Sequence, residues 1–267
     1  MALLSYTFRL YPNRAQAEAL NGMLGALCDL YNAGLQQRIE AYRRRGISLR
    51  YIDQANELKA VRAVDERLSG FSFSAEQQVL RRLDKAFRAF FRRLKERNGK
   101  AGFPRFQAKS RFDSAEFRVG DGLAIRPTKR LGITGIPGEV KVRWHRPLSE
   151  GAKAGAAVLS RSNGRWFICF QIEVETRDVE RPVSTIGIDL GLSSLVALST
   201  GEMIPAPQWT KRAAKGLRRR QRALSRKRRF SAGWKRARGA VARHQAKVAA
   251  RRRDFLHKLS CRLVREH

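Results

Sequence analysis

Acidic residues are scarce in this chain of 267 residues: 23 Asp and Glu stand against 56 Lys and Arg, a formal net charge of +33. Such one-sidedness excludes a surface of balanced ion pairs and points to a polyanionic partner, nucleic acid first. Cysteine is scarce too. Cys28, Cys169 and Cys261 are scattered without a CxxC pair, which excludes a disulfide framework or a zinc site and reads as structural thiols. No apolar run approaches membrane-spanning length. The opening MALLSYTFRLYPN lacks a basic stretch ahead of a long apolar one, so no signal peptide is expected. These absences predict a cytoplasmic protein. Hydrophobic residues nonetheless make up 43%, enough for one large folded domain or two to three small ones.

Tyr6, Phe8 and Leu10 alternate with Thr7, Arg9 and Tyr11, the period of a half-buried strand that Pro12 ends. From Asn13 the period changes to that of a long amphipathic helix, closed by Arg43, Arg44, Arg45 and Gly46. A second helix is expected over Tyr51 to Val64. A third opens at SAEQ, where Ser74 and Gln77 can form a capping box. Its buried face is Leu80, Leu83, Phe87, Phe90, Phe91 and Leu94, and it stops at Asn98-Gly99. After GFPRFQ, residues 102–107, short strand-like runs follow: AEFRV, LAI, EVKVRW, AAVLSR and RWFICFQIEV. Asn163-Gly164 between the last two signals a hairpin. These runs predict a small antiparallel barrel or sandwich joined by the N-terminal strand, so that residues 13–99 become a helical insertion into a β domain.

RDVERP, residues 177–182, reads as a polar linker. Beyond it, Ile186 to Leu190 is expected as a buried strand, and LVALST and EMIPA flank Gly201 as a hairpin. Lys211 to His267 holds 22 Lys or Arg and two acids, Asp254 and Glu266. FSAG at 230–233 divides it into two helices. The second carries Val241, Val248, Phe255, Leu259 and Leu263 at helical spacing, with a cationic opposite face suited to phosphates.

Asp189 stands inside the apolar run of GIDLG. A buried carboxylate must be paired, hydrogen-bonded or bound to a cation. It could cap a turn at Gly191. It could belong to the first phosphate loop of a sugar-kinase or actin-like ATPase, although Leu192 stands where that loop has Thr. Or it could be the first-strand Asp of a ribonuclease-H-like nuclease, holding Mg²⁺ for phosphodiester cleavage.

Several motifs in order resemble the TnpB family, transposon-encoded relatives of type V CRISPR effectors: FRLYPNRAQ, LYNAGLQQR, LRRLDKAFRAFF with GFPRF, GIDLGLSSLVALSTGE and RRRDFLHKLSCRLVREH. The resemblance implies an α+β multidomain fold. Residues 1–12 and 100–180 would form a wedge-like β-barrel, 13–99 a helical recognition lobe, and 183–267 the N-terminal part of a RuvC, or RNase H-like, domain with long basic helices. It implies an RNA-guided DNA endonuclease, monomeric with its guide RNA, that binds target double-stranded DNA and takes no small-molecule substrate. Asp189 matches the first catalytic, Mg²⁺-holding carboxylate. Gln77 falls where the family contacts target-adjacent DNA, or else caps Ser74. Phe103, Pro104, Arg105 and Phe106 are expected to shape the fold, with Arg105 also free to touch RNA backbone, and Arg105, Lys109, Arg111, Arg218, Arg219, Arg222, Lys227, Arg228 and Lys235 are candidates for nucleic-acid contact.

The family's second carboxylate, a Glu, its third, an Asp, and its zinc ribbon should follow the final helix. None of these is in the sequence, so the structural zinc is not expected here. One carboxylate does not make a two-metal site. The expectation is a chain that ends before the second RuvC motif and binds without cutting. The alternative is a nuclease-dead RNA- or DNA-binding regulator derived from the same family.

Overall fold

A computed structural model describes residues 2–96, 101–148, 154–174 and 185–267. The expected helix stop at Asn98-Gly99 and the linker at 177–182 lie outside the described residues. The fold is mixed α/β, with a closed seven-stranded barrel and, among the described residues, six helices. It divides into two compact units, Met1–Thr176 and Arg177–His267.

In the first unit the N-terminal strand β1 (Ala2–Tyr11) lies between β5 (Glu139–Arg143) and β7 (Arg165–Val174). Its alternation sends Phe8 and Leu10 into the core. The strands β2 (Ser114–Val119), β3 (Gly122–Ile125), β4 (Leu131–Ile133) and β6 (Ala154–Ser162) complete the barrel in the order β1-β5-β4-β3-β2-β6-β7. Closure removes both sheet edges. The β6–β7 hairpin turns at Asn163 (φ 50°) and Gly164 (φ 72°), as the Asn-Gly pair requires. Pairing is antiparallel except between β2 and β3, which meet in parallel register, Arg118↔Gly122 and Val119↔Leu123. β4 was not expected; three residues are too few to show a period.

Helix α1 (Arg14–Arg45) begins at a full capping box: Gln16 N–H donates to Asn13 Oδ1 at 2.8 Å, and Asn13 N–H to Gln16 Oε1 at 3.1 Å. The Gln16 amide also donates to the carbonyls of Pro137 and Glu139, tying the helix start to the barrel. It ends at Gly46, in the left-handed conformation (φ 66°) that glycine adopts freely. Helix α2 (Tyr51–Val64) has the expected bounds, and a short α3 (Glu66–Ser69) follows.

Helix α4 (Phe73–Glu96) departs from expectation at both ends. Ser72, not Ser74, caps it: Ser72 Oγ accepts from Ala75 N at 3.3 Å, while Ser74 is buried inside the first turn. At the other end Phe91 and Leu94, expected to be buried, are exposed. The N-terminal part of α4 packs on α1 and the barrel; beyond Phe87 the ring of Phe103 meets Phe90, while Phe91 and Leu94 stay exposed. The helices and barrel share one continuous core.

In the second unit, β8 (Ile188–Asp189), β9 (Ser194–Leu198) and β10 (Met203–Pro205) form an antiparallel sheet in the order β10-β9-β8. Helix α5 (Trp209–Ser225) and helix α6 (Ala232–Glu266) form an antiparallel hairpin, seen in Trp209 meeting Phe255 edge-on at 5.3 Å and Ala213 carbonyl meeting His244 Nε2 at 3.2 Å. Phe255, Leu259 and Leu263 of α6 cover Val196, Leu198 and Ile204 of the sheet. Arg262 adds an ion pair to Glu202 at 2.8 Å. Ile186 to Leu190 is not the buried strand expected. Ile188 is 50% and Leu190 74% exposed, because β8 is two residues long and pairs with β9 alone among the described residues.

Candidate functional site

Asp189 occupies the edge strand β8, held through its backbone opposite Ala197. The premise that its carboxylate must be partnered because it is buried does not hold: the residue is exposed. No ion pair joins it to another described residue, and among the described residues no group of three or more His, Cys, Asp or Glu comes together to hold a metal ion. Glu202 is paired with Arg262 and Asp254 with Lys258, each at 2.8 Å. A Mg²⁺ centre for phosphodiester cleavage draws on more than one carboxylate. The described residues therefore do not by themselves fit that group.

The GFPRF segment is positioned from α1. Asn32 Nδ2 donates to the Gln107 carbonyl at 2.9 Å while Asn32 Oδ1 accepts from Gln107 N–H at 2.8 Å. The Cys28 thiol donates to the same carbonyl at 3.3 Å. Burial, with help from the Asp29 carboxylate, pushes that thiol's pKa up and keeps it a neutral donor. Pro104 is buried, and Phe103 stands edge-on to Phe87 (5.5 Å) and Phe90 (5.3 Å). Together with Tyr42, Tyr51 and Phe91 these rings line an open groove of about 1060 Å³ beside Arg43 and Arg50. The composition of the helices did not reveal the groove, but two adjacent phenylalanines at 90 and 91 cannot both face one core.

The nominated cations fall into three places. Arg105 and Arg111 are exposed near the clamped segment, with no acid paired to them among the described residues. Lys109 is already bonded to Asp29 at 2.8 Å. Arg218, Arg219 and Arg222 line one exposed face of α5, and Lys227, Arg228 and Lys235 surround the turn into α6. Gln77 lies half-buried in the second turn of α4, bonded through its side chain to no other described residue. The hairpin seam carries Arg212, Arg220, Arg243, Lys247 and Arg251 around His244. Of the 22 cations from Lys211 onward, Lys258 and Arg262 alone form ion pairs with described acids. Uncompensated charge on two long helices is an electrostatic footprint for phosphates.

Residues 167–267 match the family described as "Probable transposase", the OrfB family of IS605 elements, and residues 1–46 match its "Helix-turn-helix domain". Here residues 2–46 form one strand and one helix. A curated relative from Streptomyces pristinaespiralis, named "Putative RNA-guided DNA endonuclease", is 35% identical over 98% of this chain and 64% of its own length. InsQ of Escherichia coli K12, with the same description, is 28% identical over 99% of this chain and 64% of its own. The chain thus spans slightly less than two thirds of the length of these relatives. A Cas12f1–sgRNA–target DNA complex aligns over 98% of this chain and 69% of its own, with 14% identity and a TM-score of 0.40. The matched segments at both ends, with relatives that align along the length of this chain, assign it to the TnpB-like, IS605 OrfB family.

Proposed function

We propose that this chain is the nucleic-acid-binding part of an RNA-guided DNA endonuclease: as a cytoplasmic monomer it holds a guide RNA and the target double-stranded DNA. The observation that carries the reading is the α5–α6 hairpin, whose cations are left almost wholly without acidic partners among the described residues. Phosphate neutralisation by such a surface releases counterions, so affinity depends steeply on salt. Base pairing then reads the target while protein holds the backbone. Asp189 would offer one carboxylate to the Mg²⁺ centre that the family resemblance implies, a centre the described residues do not complete.

The purified chain is expected to retain a structured RNA in a filter-binding assay, with log affinity falling linearly as log salt rises. It is expected not to cut DNA with that RNA and Mg²⁺. A flat salt response would contradict phosphate-dominated binding. Cleavage abolished by Asp189→Ala would contradict the division between binding and cutting. A second reading, a nuclease-dead regulator, is favoured by the exposure of Asp189 away from any acid cluster. Sequencing the gene past codon 267 separates the two: an acidic strand supports the first reading, a stop codon the second.

A further inference from the structure

The turn between α5 and α6 is built unlike the rest of the hairpin. Phe230 sits there with φ 67°, a left-handed conformation that a bulky aromatic seldom adopts, and it is 72% exposed. Trp234 stands beside it, ring centroids 5.6 Å apart and planes tilted by 53°. Ser231 fixes that neighbour by capping α6, its Oγ accepting from Trp234 N–H at 3.1 Å. Arg229 lies 5.7 Å from the centre of the Phe230 ring, and Arg238 lies 5.4 Å from that of Trp234. No acid occurs between Met203 and Arg253, and no described acid forms an ion pair with Arg229 or Arg238.

What distinguishes the tip is not one exposed apolar side chain but two neighbouring rings with a guanidinium group beside each. Flat rings interleaved with guanidinium groups that no described acid pairs are suited to single-stranded nucleic acid: bases stack on the rings while cations track the phosphates. Duplex recognition would need the cations alone, because paired bases keep their faces inside the stack.

We propose that the hairpin tip is a stacking site for unpaired bases, with Phe230 and Trp234 as the platform and Arg229 and Arg238 against the flanking phosphates. The inference rests on the nucleic-acid reading above and adds which form of nucleic acid the tip takes, and where. It gives the hairpin two tasks: its long faces hold phosphates of any strand, and its end selects a strand that is open.

The test uses the whole chain, a labelled unstructured single-stranded oligonucleotide, and a duplex of the same length. Stacking is worth roughly 1–3 kcal/mol per base, so F230A/W234A is expected to weaken single-strand binding about tenfold or more while leaving duplex binding within about twofold. F230Y/W234F, which keeps the rings, is expected to bind like the parent and shows that the hairpin is folded. Equal losses on both probes, or no loss on either, would overturn the stacking site while leaving the nucleic-acid reading intact. Failure of the parent chain to bind either probe would overturn both. Capture of anionic phospholipid vesicles that F230A/W234A abolishes, with oligonucleotide binding unchanged, would assign the tip to a membrane surface instead.

Discussion

Asn32 grips the backbone of Gln107 by both of that residue's peptide groups, donating to its carbonyl at 2.9 Å and accepting from its N–H at 2.8 Å across 75 residues of sequence. A primary amide is the side chain that can mimic a neighbouring peptide in this way, so the Asn of LYNAG and the segment after GFPRF form one structural device. Asn32→Ala removes both partners of a partly buried peptide and should cost about 1–3 kcal/mol. Asn32→Asp keeps the acceptor, loses the donor, and should fall between. Urea unfolding measures both. Trypsin supplies an independent readout, since release of the segment should speed cleavage after Arg105; unchanged cleavage in Asn32→Ala would show that the clamp does not hold it.

Glu76 is fully buried against Arg62, whose Nη1 donates to both carboxylate oxygens at 2.7 Å and also to the carbonyls of Leu68 and Phe71 at 3.2 Å. Burial pushes the carboxyl pKa up to about 7, against the opposing pull of the guanidinium. The folded chain therefore holds this proton over a range where the unfolded chain, with an ordinary Glu near 4.3, has lost it. Stability from this group is present below about pH 4 and declines as pH rises towards 7. Urea midpoints across that range should fall more steeply in the parent than in Glu76→Gln; parallel curves would sink the assignment. Arg62→Ala removes the guanidinium that holds this pKa down, so at neutral pH Glu76 is left as a buried, protonated acid without its partner, which should cost about 1–3 kcal/mol.

Local signals in the sequence located most of the elements, and contacts distant in sequence decided what they did. Pro12 and Gly46 bounded the first strand and helix because each acts on its own backbone. Asn163-Gly164 placed the hairpin for the same reason. The cap of α4 was misplaced by two residues, since Ser72 and Ser74 are chemically equal and the helix start is set by what Ser72 meets on the barrel. Phe91, Leu94, Ile188 and Leu190 have the hydrophobicity of core residues, but burial also needs an element to cover them. The cations were legible as a composition; that so few are paired became visible with the acids located.

Gly122 marks that meeting of helix and barrel. A Cβ there would stand 2.0 Å from Ser72 Oγ and 2.4 Å from Ser72 Cβ, and its φ of +79° is glycine's. Gly120, two residues earlier, has φ +91° with open space around it. Ala at Gly120 should therefore cost only the left-handed penalty, about 1–2 kcal/mol. Ala at Gly122 should add displacement of the Ser72 cap, about 1 kcal/mol more. The difference between the two variants in thermal or urea unfolding isolates the contact, and equal losses would mean that Ser72 moves aside freely.

Asp189 separates a structural carboxylate from a functional one. Its exposed side chain meets no described cation or donor, and its strand is held by backbone pairing to Ala197, which any residue can supply. Asp189→Asn keeps the shape and removes one negative charge from a chain of net charge +33. Stability should stay within about 0.5 kcal/mol of the parent, as for other exposed positions. Affinity for RNA should be unchanged or slightly higher, because the lost charge repels phosphate. A residue that capped the turn at Gly191 would behave differently, losing about 1 kcal/mol or more with its acceptor weakened. Unfolding and filter binding on the same pair of proteins therefore discriminate: a stability loss with intact binding makes Asp189 a turn residue, and neutrality in both leaves its carboxylate free for a cation.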